Sequence, residues 1–159
     1  MSEDSKKLLI IGIVALAVIG IGVLIGLSGA FEAKASSGRI EIRPPGYNFG
    51  DIDIFGGKKS TSFEIVNSGN ESVEITSAIT TCMCTEAFLD DKIITMHAPT
   101  YIGLIEAGER KNVTVVFDSL AHGPDATGPI TREIIFKTNS TLTPEITFRF
   151  DGNVIKKSS

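Results

Sequence analysis

Residues 62–76 read SFEIVNSGNESVEIT, and this stretch decides the fold. On either side of the turn-forming letters NSGN (67–70), apolar and polar side chains alternate at every second position. The apolar members of the pattern are Phe63, Ile65, Val73 and Ile75. Alternation of period two, rich in Val, Ile, Phe and Thr, is typical of half-buried strands. We therefore predict two β-strands separated by a turn.

The same alternation recurs along the rest of the chain after Arg39. It predicts five further strands, at 39–43, 49–54, 112–117, 132–138 and 145–151. About seven short strands separated by turn residues are expected of an immunoglobulin-like sandwich. We predict an all-β domain of this kind, with no helix, over residues 39–156.

An apolar segment precedes this domain. Leu8–Leu27 reads LLIIGIVALAVIGIGVLIGL and contains no charged or polar side chain. Twenty helical residues span about 30 Å, the thickness of the hydrocarbon core of a bilayer. We predict one transmembrane helix over residues 8–30, after a cytoplasmic stretch (1–7) and before a short linker (31–38). A cleavable signal peptide ending at Ala33-Lys34-Ala35 is the alternative, although its apolar region would be unusually long.

Residues beside and within this segment predict its orientation and its contacts. Lys6 and Lys7 adjoin its start, whereas the basic residues after it, such as Arg39, stand well beyond its end. Positive residues stay in the cytoplasm, so we predict that the β domain lies outside the cytoplasmic membrane. Gly22 and Gly26 have the spacing that lets two membrane helices pack closely into a homodimer, although glycine is common in membrane helices for other reasons.

Length and charge exclude several classes of protein. The chain has 159 residues and a formal net charge of −4. One ordinary domain and a membrane segment account for this length, which argues against a multidomain enzyme or a polytopic transporter. The acidic balance argues against binding to nucleic acid. Because neither a nucleophile elbow nor a glycine-rich phosphate-binding loop is present, we predict no catalytic residues.

Five short motifs follow one another in the predicted β domain. They are Phe49-Gly50, Phe63 to Gly69, Cys82 to Thr85, Gly108-Glu109 and Phe117-Asp118. In this order they resemble the bacterial domain of unknown function 1573, which is related to the ASH/Hydin-like immunoglobulin-fold domains. The resemblance covers residues 45–154 and implies an immunoglobulin-like, non-catalytic binding module with no established activity. Two features depart from the family pattern: Met83 replaces the usual glycine between the cysteines, and the connection 85–107 is longer.

Cys82 and Cys84 are the only cysteines of the chain. In an extended segment both side chains would share one face, with Cα atoms about 6.6–6.8 Å apart, at the far limit for a disulfide. A bridge between them therefore requires a bulge or a tight turn at Met83. A disulfide, an inert buried pair and a chelate for a soft metal, Cu(I) or Zn, all remain open.

Few other side chains of the domain could complete a metal site. Met96, His97 and His122 lie in or beside predicted loops after the cysteines. Cys82, Cys84, His97 and His122 form a candidate set of four ligands, with Met96 as a weak fifth. Their spacing matches no zinc-finger pattern.

These observations lead to one functional prediction and one alternative. We predict a single-pass, membrane-anchored, non-catalytic immunoglobulin-like domain that binds or scaffolds another envelope protein, and we expect its contact surface first within 86–107. The alternative is a membrane-tethered metal (copper-like) or thiol-redox protein that uses Cys82 and Cys84.

Overall fold

The computed structural model describes residues 34–157, which form ten β-strands in two sheets. The strands are β1 (Ile40–Arg43), β2 (Gly46–Asp53), β3 (Lys59–Asn67), β4 (Val73–Thr80), β5 (Thr85–Leu89), β6 (Lys92–Ile94), β7 (Gly103–Ile105), β8 (Arg110–Phe117), β9 (Gly128–Thr138) and β10 (Glu145–Ile155). The predicted membrane helix over 8–30 and the Gly22/Gly26 contact lie outside the described residues. Among the residues described, the structure contains no helix with the length and apolar character needed to cross a membrane.

Each sheet has five strands. The first has the order β1-β3-β8-β5-β6, and every pair of adjacent strands in it is antiparallel. The second has the order β2-β10-β9-β4-β7, in which only the pairing of β2 with β10 is parallel. The all-β sandwich predicted from the sequence is therefore confirmed, and the sheets pack through their apolar faces.

The number of strands differs from the prediction of about seven. The seven predicted strands correspond to β1, β2, β3, β4, β8, β9 and β10, and the three additional strands all lie in the long connection before β8. β5 has five residues, and β6 and β7 have three each. β6 and β7 carry too few alternating positions to be recognised from period alone. β5 is longer than β1, but two of its three buried positions hold Thr85 and Ala87 instead of large apolar side chains.

A cluster of phenylalanine rings joins the two sheets. Phe63 of β3 stacks on Phe148 of β10 with ring centroids 4.2 Å apart, and it meets Phe136 of β9 edge-on at 6.0 Å. All three rings are buried. Fully burying a phenylalanine side chain stabilises the folded state by about 1.5–3 kcal/mol. These aromatic contacts across the sandwich are therefore a main source of its stability.

The turn between β3 and β4 is held by the buried side chain of Asn67. Its Nδ2 donates to the backbone oxygens of Glu71, at 2.8 Å, and Ile105, at 3.0 Å, while its Oδ1 accepts from the N–H of Gly69 at 3.0 Å. A Cβ atom on Gly69 would lie 2.6 Å from the backbone nitrogen of Arg39, so only glycine fits there. Asn67 thus connects the turn to the end of β7 in the other sheet.

The long connection before β8 crosses from one sheet to the other. After β6, at the edge of the first sheet, the chain runs along the side of the sandwich to β7, at the edge of the second. Thr100 fixes its path, because its backbone N–H and C=O both pair with Ala78 of β4 at 2.8 Å. The buried side chains of Ile94 and Ile105 hold its two ends in the core.

Candidate functional site

The two cysteines lie in a tight turn between β4 and β5. The N–H of Thr85 donates to the carbonyl oxygen of Cys82 at 3.1 Å, which closes the turn and brings the Cα atoms of Cys82 and Cys84 to 5.2 Å. The two residues form a disulfide. The sequence predicts that a bridge requires a bulge or a tight turn at Met83, and the structure contains the turn; of the three alternatives for the cysteines it contains the disulfide.

Neighbouring strands hold this turn in place. The carbonyl oxygen of Cys84 accepts a hydrogen bond at 2.9 Å from the N–H of Asp118, which follows β8. On the other side, the N–H of Thr81 donates at 3.0 Å to the carbonyl oxygen of Glu133 in β9. The hydroxyl of buried Thr80 lies within hydrogen-bonding distance of two carbonyl oxygens in the turn. The position of the sulfurs is thus set by both sheets.

Each sulfur has a nitrogen-bearing side chain beside it. Nε2 of His122, in the loop after β8, lies 3.2 Å from Sγ of Cys82. Nε of Arg132, in β9, donates to Sγ of Cys84 at 3.2 Å. We call these four residues the disulfide site. His122 is exposed, whereas both cysteines are buried.

The residues of the disulfide site suit soft-ligand chemistry. Sγ of Cys82, Sγ of Cys84 and a ring nitrogen of His122 lie within 4.8 Å of one another. Thiolates and imidazole are ligands that select soft and borderline metals. The guanidinium of Arg132 is always charged, so it would stabilise a thiolate on Cys84 once the disulfide is reduced.

The disulfide contributes little to the stability of the fold. It closes a loop of only three residues, because the cysteines are two positions apart. In the chain-entropy model such a bridge stabilises the folded state by about 1.6 kcal/mol, less than one buried aromatic side chain can contribute. The gain in folding stability is therefore too small to account by itself for the presence of the two cysteines.

The structure brings together three of the five ligands predicted from the sequence. Cys82, Cys84 and His122 are grouped, and within residues 34–157 they are the one group of three or more His, Cys, Asp or Glu side chains that could hold a metal ion. His97 is not a member of the group, and with Met96 it lies exposed in the connection after β6. A metal site that includes those two residues stays a prediction.

Sequence reasoning did not identify Arg132 as a member of the site. It stands 48 positions from Cys84, and its place beside the sulfur depends on the contact between β9 and the cysteine turn. Alternation along β9 predicts which side chains face the core, but it carries no information about which turn lies alongside. Nothing in the sequence therefore pointed to this contact.

A surface cavity of about 320 Å³ lies next to the disulfide site. His122 and Arg132 line it together with apolar side chains, among them Phe117, Ile130 and Val154. The two side chains that contact the sulfurs therefore also line this cavity.

A second candidate surface is apolar and lies in the connection between the sheets. We call residues 93–104 the crossing segment. Nine large hydrophobic side chains are exposed among the described residues, and four of them belong to these twelve positions: Ile93, Met96, Tyr101 and Leu104. The hydroxyl of Tyr101 donates to Oε1 of Glu74 at 2.6 Å, and this hydrogen bond raises the pKa of Tyr101 above its ordinary value. The hydrogen bond therefore holds Tyr101 in a defined position on the surface.

Comparison with known proteins agrees with the fold. A crystal structure of a protein of unknown function from Porphyromonas gingivalis W83 is similar over 79% of this chain, with 16% identity and a TM-score of 0.59. This chain spans about half (51%) of that protein. The ASH/PapD-like domain 7 of human CEP192 is similar over 82% of this chain and 96% of its own length, with 16% identity and a TM-score of 0.50. At these identities the likeness concerns the fold alone.

Sequence comparison identifies the family. No curated protein matches the chain by sequence. A family model, described as a protein of unknown function (DUF1573), matches residues 40–154. This match covers the β domain from its first strand to its last, and it agrees with the five motifs from which the resemblance was inferred. The chain therefore belongs to the DUF1573 family of proteins of unknown function.

Proposed function

We propose that this immunoglobulin-like domain is a non-catalytic module that binds another protein through the crossing segment, and that an N-terminal helix holds it outside the cytoplasmic membrane. The observation that carries the proposal is the concentration of exposed Ile93, Met96, Tyr101 and Leu104 in one connection. A family without an assigned activity and an ASH/PapD-like neighbour both favour a domain that is not an enzyme.

The crossing segment has the properties of a preformed binding surface. Its backbone is tied to β4 through Thr100, and Ile94 within it is fully buried. A partner would therefore meet a surface that needs little ordering, which lowers the entropic cost of binding. Tyrosine and methionine are enriched at protein interfaces, and each large apolar side chain that becomes fully buried contributes about 1.5–3 kcal/mol.

The form of the surface favours side-chain contacts over the addition of a strand. β6 and β7, at the two ends of the crossing segment, have only three residues each. Such short edge strands offer few free backbone groups to an incoming strand. We therefore expect the partner to present apolar side chains to the crossing segment.

Two observations support a position outside the cytoplasm. The apolar run Leu8–Leu27 with Lys6 and Lys7 at its start has the pattern of an anchor whose following domain is exported. The disulfide between Cys82 and Cys84 is of a kind that persists in oxidising compartments.

Site-specific photo-crosslinking with the full chain tests the binding role. A benzoylphenylalanine at Leu104 should give a discrete adduct with one protein in cells, and the same group at Phe55 should not. Phe55 is a matched control because it is a large, exposed hydrophobic residue outside the crossing segment. Introducing Ile93→Ser and Met96→Ser should abolish the adduct formed from position 104. Equal adducts from both positions, or none from position 104, would contradict the proposal.

Point substitutions of exposed residues are sharper than deletion of the connection. Removal of residues 90–102 would also remove Ile94, which is fully buried in the core. Loss of binding would then be confounded with loss of folding.

Fractionation tests the anchor. The full chain should stay with membranes washed in alkaline carbonate, and its β domain should be cleaved by protease added outside intact spheroplasts. Release by carbonate, or protection of the β domain until the cells are lysed, would contradict the proposed topology.

A further inference from the structure

We propose that reduction of the Cys82–Cys84 disulfide turns the disulfide site into a binding site for one Cu(I) ion, with Sγ of Cys82, Sγ of Cys84 and Nε2 of His122 as its ligands. This inference is independent of the binding surface proposed above. It starts from three ligand atoms that already lie within 4.8 Å of one another.

The chemical steps balance in atoms and electrons. A dithiol reductant transfers two electrons and two protons to the disulfide, so that Cys82 and Cys84 become thiols and the reductant becomes a disulfide. Cu(I) then binds both sulfurs, and the two thiol protons pass to solvent. The imidazole of His122 binds in its neutral form. The copper keeps its oxidation state throughout.

The geometry of the turn allows this change. Two sulfurs that share a metal at bonds of about 2.3 Å lie about 4 Å apart, wider than in the disulfide. The Cα atoms are 5.2 Å apart, so rotation about the Cα–Cβ bonds can separate the sulfurs while the turn keeps its backbone–backbone hydrogen bonds. Met83, between the cysteines, is exposed and offers no steric obstacle.

Charge favours a monovalent ion over a divalent one. Two thiolates, a neutral imidazole and Cu(I) carry a net charge of −1, and the guanidinium of Arg132 beside Cys84 neutralises it. With Zn(II) the same four residues would leave a net positive charge near the core. Zinc also prefers four ligands, whereas His97, the remaining histidine, is not part of the group. Thiolate ligands suit Cu(I), which is a soft ion.

The buried cysteines suit retention of the ion, and the exposed histidine suits its entry. Both cysteines are buried, which shields Cu(I) from water and oxidants. His122 is exposed and borders the cavity of about 320 Å³, so it can receive the ion first and pass it inwards to the sulfurs.

Competition with the chromophoric chelator bicinchoninate tests the proposal. The full chain in detergent is kept without oxygen, either oxidised or reduced with a phosphine, and Cu(I) is titrated in. The reduced protein should remove one equivalent of Cu(I) from the chelator, and the oxidised protein should remove none. Equal uptake by both forms, uptake by neither, or preferential uptake of Zn(II) would overturn the proposal.

The two histidines provide a matched pair of variants. His122→Gln should weaken Cu(I) binding at least about tenfold, whereas His97→Gln should change it less than about twofold. Arg132→Gln removes the donor beside Sγ of Cys84 and should weaken binding about tenfold. Cys84→Ser should abolish it. Because both histidines are exposed, His122→Gln and His97→Gln should both retain the wild-type circular dichroism spectrum, so their comparison does not depend on whether Cys84→Ser folds. Equal losses in the two histidine variants would overturn the proposal.

Discussion

Replacing Asn67 by alanine removes its three side-chain hydrogen bonds, two within the β3–β4 turn and one that ties the turn to the end of β7. The carbonyl oxygen of Ile105 loses a partner inside the core, where Ile105 is 1% exposed. The N–H of Gly69 and the carbonyl oxygen of Glu71 also lose their partners, but these two groups lie near enough to solvent to bind water. The buried acceptor therefore makes the largest single contribution to the cost.

The magnitude follows from these environments. An orphaned buried backbone acceptor costs about 1–3 kcal/mol, and each of the other two hydrogen bonds contributes about 1 kcal/mol. We expect Asn67→Ala to lower the free energy of unfolding by about 4 kcal/mol. A domain of this size would then unfold at a temperature lower by about 15 °C.

Urea unfolding followed by far-ultraviolet circular dichroism measures this loss. Asn153→Ala is the matched control, because Asn153 is exposed and makes one side-chain hydrogen bond, to Oδ1 of Asp51 at 3.0 Å. We expect the control to change stability by less than about 0.5 kcal/mol. A loss below about 1 kcal/mol for Asn67→Ala would refute the reasoning.

Asn67→Asp tests the two hydrogen bonds that Nδ2 donates separately from the one that Oδ1 accepts, because aspartate keeps the acceptor and loses the donors. The new carboxyl could still accept from Gly69, but as a carboxylate it would face the oxygens of Glu71 and Ile105 without a proton to donate. Burial and these oxygens would raise its pKa in the folded state above the unfolded value of about 3.9. Stability should therefore fall as the pH rises from about 4 towards the folded pKa, opposite in sign to ordinary acid denaturation. A variant whose stability is unchanged between about pH 4 and pH 8 would contradict this account.

Three further predictions follow from the core, the bridge and the surface charges. Phe148→Ala removes a fully buried, stacked ring, so we expect the free energy of unfolding, measured with urea, to fall by about 4 kcal/mol. A fall below about 2 kcal/mol would argue against the packing described. Replacing Cys82 and Cys84 together by alanine should lower stability by only about 1.6 kcal/mol, measured against the oxidised protein; more than about 3 kcal/mol would mean that the chain-entropy model underestimates the bridge. The backbone N–H of Glu106 donates to the carboxylate of Glu109 and holds the pKa of that carboxyl below its ordinary value of 4.5. The ionised carboxylate therefore stabilises the fold above pH 4.5, and this stabilisation is lost as the pH falls through the lowered pKa. Glu109→Gln should therefore reduce the drop in urea midpoint between about pH 6 and pH 3, and an unchanged drop would exclude this carboxyl as a source.

The sequence by itself determined the class of the fold and most of its strands. Alternation is a local property, since successive side chains of a strand point to opposite faces. It identified seven strands, such as 112–117 within β8 (Arg110–Phe117), and it missed only the three short strands of the connection before β8. The spacing of Cys82 and Cys84 likewise determined that a bridge between them needs a bulge or a tight turn, because in an extended segment their Cα atoms lie at the far limit for a disulfide.

The tertiary structure decided which elements become neighbours. β3 and β4 follow one another in the chain but belong to different sheets, and β2 pairs in parallel with β10 about a hundred residues later. For the same reason only the folded chain shows that His122, and not His97, stands beside the sulfurs together with Arg132. A strand's period records which of its faces is buried, but its partner is chosen by the joint burial of all the strands, which no local pattern contains.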